Sequence, residues 1–303
     1  MSFSFTVKEE IISSVSNKDK TKACLYGMLL FSKILSESQI LFQTENNIVA
    51  EYFTSSITDI LHDQTAVRQS IISKKNNVAL YSLSIDDKDN IKRLCDYFNT
   101  DIIQKNRYID TKAIGKKKFI SFFVAGIFLA CGSVNDPLKE YHLEFVIPSN
   151  ELSSQLMEVL FECGITTKQT ERKNAFILYI KESENIEDIL TFMGAPKSSL
   201  ELMNVKILKD VRNKINRAVN CDNANIEKTL KASEKQVESI QLIDEKMGID
   251  NLPEELYDIA LLRLENPDWN LKELAEGLNP PISRSGANHR LARINKIAEE
   301  IKG

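Results

Sequence analysis

The chain has 303 residues, 43% of them apolar and 27% charged, with a formal net charge of −4. That length holds two or three ordinary cores, and that balance excludes a disordered or fibrous chain. The negative sign excludes a uniformly basic nucleic-acid binder, so any affinity for DNA must be local.

The N-terminal stretch MSFSFTVKEEIISS carries acids early and lacks an apolar run, unlike a signal peptide. From Cys24 the segment CLYGMLLFSK predicts an apolar helix containing Gly27. An alternating strand follows, QILFQT, and then a helix from about Ile48. The runs TAVRQSIIS and NVALYSLSI predict paired strands around a polar turn at Lys74–Asn77, and DNIKRLCDYFN predicts a closing helix.

After Lys116, Lys117 and Lys118 comes the strongest hydrophobic run, FISFFVAGIFLACG, Phe119–Gly132. It falls short of the ~20 residues a membrane span needs and predicts a buried helix. The same order then recurs: Gly126 in the helix, the strand YHLEFVI, a helix from about Asn150, strands TTKQTE and AFILYIK around Arg172–Asn174, and the helix ENIEDILTFMG. Gly27 and Gly126 lie about a hundred positions apart, the period of an internal repeat. The pattern predicts an α+β fold, with halves at 1–107 and 108–204 forming one pseudo-symmetric domain.

Beyond Pro196 the strand pattern ends. A basic linker helix is expected over 205–225, where Lys206, Lys209, Arg212, Lys214 and Arg217 face one acid, Asp210, and are secondary candidates for contact with DNA. The polar run NCDNAN, Asn220–Asn225, predicts a hinge, and 226–303 an all-helical domain. An acidic helix is expected at about Ile226–Lys246, and Pro253 opens the next, PEELYDIALLRLEN.

Asn270 can cap the helix LKELAEGL, and Asn279-Pro280-Pro281 breaks it. Ser283 is a cap for a last helix, in the helix-turn-helix pattern whose second helix enters the major groove. At 100° per residue Ala287, Leu291 and Ile294 share one face. The opposite face presents Ser285, His289, Arg293 and Lys296, with Asn288 at the shoulder. Such side chains suit base edges, while Arg284, Arg290 and Lys296 suit phosphates. Gly286, early in this helix, fits a backbone that another helix or DNA approaches closely. The plainer alternative is a helical hairpin with a solvated polar face.

His62, His142 and His289 are too dispersed for a metal triad, and His142 sits in a strand-like run. Cys24, Cys95, Cys131, Cys163 and Cys221 lack zinc spacing and are odd in number, which predicts free buried thiols in a reducing cytoplasm. Trp269, beside a cap, predicts a hydrophobic staple. No phosphate-binding loop, dinucleotide motif or nucleophile elbow occurs. Lys116–Lys118 serve equally as a solvated linker or as a phosphate rim.

The Gly-bearing helices, with VAGIFLACGSVNDPLKEYHLEF after the second, resemble the LAGLIDADG fold of homing endonucleases. The tail LKELAEGLNPPISRSGANHRLARINKIAEEI resembles the helix-turn-helix of the WhiA regulators, and the combination covers nearly the whole chain. The resemblance implies a degenerate endonuclease-like domain joined to a DNA-binding domain similar to region 4 of sigma factors. It also implies a cytoplasmic, nucleoid-associated regulator of sporulation or cell division. In LAGLIDADG enzymes the acid before the last Gly holds the metal that activates water. Here that position is Ser32 in the first half and Cys131 in the second, and the earlier acid is Leu30 or Leu129. The resemblance therefore implies no enzyme activity, no metal and no cofactor. The partners it implies are double-stranded DNA and proteins of the transcription or division machinery, with no membrane. The rivals are an active DNA endonuclease and a nucleoid-associated protein-interaction factor.

Overall fold

The computed structural model describes residues 2–73, 79–100, 102–103, 107–173 and 175–302. The chain divides into two compact units, 1–209 and 210–303.

In the first half of the N-terminal unit the elements are α1 (Phe3–Ser14), α2 (Lys18–Leu30), β1 (Ile34–Leu35), β2 (Ile40–Thr44), α3 (Asn47–Leu61), β3 (Arg68–Ser73), β4 (Ala79–Ile85) and α4 (Lys88–Phe98). The second half has α5 (Thr111–Ile114), a 3-10 turn (Lys117–Phe119), α6 (Ile120–Cys131), β5 (Gly132–Val134), β6 (Leu143–Ile147), α7 (Asn150–Glu162), β7 (Lys168–Arg172), β8 (Ala175–Ile180) and α8 (Ser183–Phe192). Each half forms a four-stranded antiparallel sheet, in the orders β1-β2-β4-β3 and β5-β6-β8-β7. The identical order is the predicted repeat seen as topology. The predicted turn at Lys74–Asn77 and the residue Asn174 lie outside the described residues.

Local chemistry sets the boundaries. Asn46 caps α3 by accepting from the Ile48 and Val49 amides at 2.9 and 3.1 Å, and Asp87 caps α4 by accepting from Asn90 at 2.8 Å. His62 and Asn99 end these helices in the left-handed region, with φ of 50° and 52°. The core runs along α2 and α6, where Leu25, Met28, Leu29, Val124, Ile127 and Phe128 are buried.

The two central helices touch backbone to backbone at their glycines. A Cβ on Gly126 would lie 1.9 Å from the Cys24 carbonyl oxygen, and one on Gly27 would lie 2.3 Å from that of Phe123. Each glycine thus faces the carbonyl three residues before its counterpart, as a two-fold pseudo-axis requires.

Helix α9 (Pro196–Met247) runs unbroken, so the predicted hinge at Asn220–Asn225 is helical instead. The run NCDNAN contains neither proline nor glycine, and its polar residues lower helix propensity only modestly. In the C-terminal unit a 3-10 turn (Ile249–Asn251), α10 (Glu254–Glu265), α11 (Leu271–Gly277) and α12 (Arg284–Lys302) complete the chain. Ile240, Ile243, Leu256, Ile259, Leu274, Leu291 and Ile294 form their core. Among the described residues no helix is long and apolar enough to cross a membrane.

Of the cysteines, Cys24 is buried and Cys95, Cys131 and Cys163 are half-buried, but Cys221 is exposed on α9. The expectation of five buried thiols fails there because no part of this stretch of α9 is covered.

Candidate nucleic-acid interface

Ser32 and Cys131 end the two central helices. Ser32 is buried, and its hydroxyl is held between the carbonyls of Leu29 at 2.7 Å and Ile34 at 3.0 Å. Burial pushes the Cys131 thiol up to about 12, against a smaller opposing pull from Lys8, so it is neutral at physiological pH.

Each helix end also carries a cation. Lys8 of α1 reaches the Leu129 carbonyl at 3.4 Å. Arg107 donates to the carbonyls of Leu30 at 3.2 Å and Ser32 at 2.6 Å. Leu30 and Leu129 are equivalent in the repeat, so the same carbonyl in each half receives one cation, at the negative end of a helix dipole. A neutral thiol and a neutral hydroxyl beside two cations are a poor ligand set for a divalent metal, and the nearby Glu45 carboxylate acts on Lys8. Among the described residues no three His, Cys, Asp or Glu converge as a ligand set. A cleft of about 420 Å³ beside these ends is lined by Phe31, Ser32, Lys33, Phe42, Ala130 and Val146, among others, with no carboxylate.

Lys8 makes a pH prediction. Burial lowers its ammonium from 10.5 to about 8, so between those values the unfolded chain holds a proton that the folded chain releases. Stability at this position rises with pH across that window, and below it the desolvation cost stands in full. Cys24 and Cys131, both raised to about 12, act oppositely above 9.0. The readout is therefore a difference: Lys8→Met is expected to be more stable than wild type below pH 8 and to lose that advantage as pH rises. Urea denaturation on both sides of the window measures it, and parallel pH profiles would contradict it.

In the C-terminal unit the Asn270 side chain accepts from the Lys272 and Glu273 amides, and Glu273 returns a bond to the Asn270 amide at 2.7 Å. This capping box starts α11. The Trp269 ring lies over Gly277, where a Cβ would meet it at 2.8 Å. Ser283 caps α12, accepting from the Gly286 amide at 3.1 Å.

On α12, Ala287, Leu291, Ile294 and Ala298 are buried, while Ser285, Asn288, His289 and Lys296 are exposed. Arg284 is exposed and Arg290 half-buried. Arg293 is not free: it pairs with Glu255 of α10, both groups partly solvated. Lys296 lies 3.9 Å from Glu300. An exposed pair contributes ~0–1 kcal/mol, so exchanging Glu255 for another acceptor costs little. Gly286 shows no close helix contact; a Cβ there would make ordinary contacts with Ser283 and Ile282.

The basic residues of α9 do not act as one group. Lys206 pairs with Glu184 and Glu187, and Lys209 donates to the Pro137 carbonyl at 2.7 Å over the Tyr141 ring, all within the N-terminal unit. Arg212, Lys214 and Arg217 are exposed.

One residue absent from the sequence-based site is Arg263. It is 2% exposed, and its Nη1 donates to the carbonyls of Asn266, Pro267 and Trp269 at 3.3, 3.2 and 2.6 Å. Its signal was an arginine at core spacing with Leu256, Ile259 and Ala260, four residues before Pro267.

Fold and site together define a two-repeat LAGLIDADG-type domain without the metal-binding acids, followed by a helix-turn-helix. Residues 120–212 match the family model of the WhiA LAGLIDADG-like domain, and residues 215–298 that of the WhiA C-terminal HTH domain. The chain is 38% identical to the probable cell division protein WhiA of Clostridium tetani, over 99% of this chain and 98% of that one. It is 37% identical to the protein of that name in Clostridium acetobutylicum, over 100% and 99%. The crystal structure of full-length WhiA from Thermotoga maritima superposes with a TM-score of 0.57 at 26% identity, covering 99% of both chains. The chain belongs to the WhiA family.

Proposed function

We propose that this protein is a sequence-specific, DNA-binding regulator of transcription in cell division or sporulation, acting in the cytoplasm at the nucleoid. Base edges are read by Ser285, Asn288, His289 and Arg293, and phosphates are held by Arg284, Arg290 and Lys296. The observation that carries this reading is α12 itself: one face is sealed into the core and the opposite face is polar, exposed and uncommitted apart from the Arg293 and Lys296 pairs. The relatives' printed role in cell division supports the cellular setting.

The N-terminal unit is a scaffold that binds and does not cut. Two neutral side chains and two cations stand at the ends where a nuclease needs acids.

The test uses duplexes recovered by genome-wide mapping of bound DNA, with a scrambled duplex as control. For the His289→Ala and Arg293→Ala double variant at fixed salt, affinity for the target is expected to fall at least about tenfold while affinity for the control holds. Unchanged discrimination would overturn the groove assignment.

A further inference from the structure

One cleft of the C-terminal unit has no carboxylate in its wall. This cleft, about 650 Å³, is bounded by α9, α11 and the start of α12. Lys228, Lys272 and Arg284 supply three cations from three different helices, and Asn225, Thr229 and Asn288 supply amides and a hydroxyl. Lys272 also lies 3.8 Å from Glu276, an exposed pair that costs little to exchange for a phosphate. Arg284 and Asn288 lie one turn apart on α12, so the cleft adjoins the proposed reading face.

The deeper residues are Ser233, Gln236 and Arg263, which are 4%, 7% and 2% exposed. Two of their polar atoms are buried without a hydrogen-bond partner: Gln236 Oε1 and Arg263 Nε. Arg263 also makes no ion pair among the described residues; its only acceptors are backbone carbonyls. A buried cation without a counter-charge, beside an unpaired N–H, is costly unless an anion approaches. A half-turn of the Gln236 amide would present its NH₂ group to the same ligand.

We propose that this cleft is a phosphate-binding site, with Lys228 and Lys272 as its exposed cations and Arg263 and Gln236 as its buried floor. The cations come from three helices, so they suit the spaced phosphates of a nucleic-acid strand. The cleft would then extend the DNA contact of α12 onto α9, to residues the helix-turn-helix pattern does not include. A free phosphorylated molecule offers the same chemistry.

The first arm of the test rests on the DNA-binding reading; the second does not. The variant is Lys228→Gln with Lys272→Gln in the full chain, both residues being exposed, with Trp269 fluorescence confirming its fold. In the first arm, duplex affinity is measured against salt. The slope of log K against log salt, which is negative, is expected to shrink in magnitude by about 1.8, at roughly 0.9 per lost phosphate contact, with discrimination between target and scrambled DNA preserved. In the second arm, inorganic phosphate is titrated and the unfolding midpoint reported by Trp269 is followed. A phosphate-dependent rise in wild type that the variant lacks, without any change in DNA slope, assigns the site to a free phosphate compound. No change in either arm overturns the proposal. If the wild-type chain binds no duplex at any salt, the DNA-binding reading fails and the second arm alone decides the site.

Discussion

Gly126→Ala is expected to unfold the N-terminal unit. The added methyl carbon would stand 1.9 Å from the Cys24 carbonyl oxygen and 2.7 Å from its carbon. Both are backbone atoms inside a helix, so no side-chain rotation relieves the clash and α2 must leave α6. That movement opens an apolar contact in which Leu25, Met28, Leu29, Ile127 and Phe128 are all fully buried. Overpacking costs about 1–3 kcal/mol where side chains can yield, and here the loss should exceed that range. Gly27→Ala should behave alike, through the Phe123 carbonyl at 2.3 Å. The single tryptophan, Trp269, lies in the other unit and gives an internal control. Far-ultraviolet circular dichroism should show the loss of the N-terminal transition while the Trp269 transition stays. An unchanged dichroism midpoint would mean that the helices are not in backbone contact.

Arg263→Ala should do the converse and destabilise the C-terminal unit by about 3 kcal/mol, as losing a buried hydrogen-bonded hub does. The guanidinium gathers three carbonyls of the turn between α10 and α11, and Ser233 adds a fourth bond, to Pro267. Two effects compete. Burying a charge is expensive, and removing it recovers that cost. Leaving three inward carbonyls without a donor costs more, at about 1–3 kcal/mol for each that stays dry. The second effect wins. Arg263→Lys should rescue part of this loss, since all three carbonyls converge on the single nitrogen Nη1 and an ammonium carries three N–H groups, though on a shorter stem. Urea denaturation followed at Trp269 measures both variants, and a midpoint equal to wild type would refute the assigned role.

Much of this architecture was legible in the sequence because it rests on short-range rules. The repeat was visible in the strand alternation of QILFQT and YHLEFVI and in the two helix glycines. The last two helices were marked by Asn270, Ser283 and the double proline. What escaped depends on contacts far apart in the chain. Helix α1 carries no signal of Lys8's task, since the Leu129 carbonyl is 121 positions away. Arg107 carries no local signal of its contact either, since it reaches back 77 positions to Leu30. The expected hinge at Asn220–Asn225 went wrong for a local reason: a polar run without proline or glycine weakens a helix but does not end it. On α12 the face was predictable from the wheel, whereas the Arg293–Glu255 pair needed α10 to be in place. Lys206 and Lys209 were grouped with the α9 bases by proximity in sequence, and the fold commits them to the N-terminal unit.

The central claim is that this chain holds duplex DNA and leaves it intact. The direct measurement incubates the full chain with a labelled target duplex and Mg²⁺, follows anisotropy, and then runs the same sample on a denaturing gel. Saturable binding with both strands whole, unchanged by EDTA, is the predicted result. Nicks that need the metal and vanish with EDTA would contradict it.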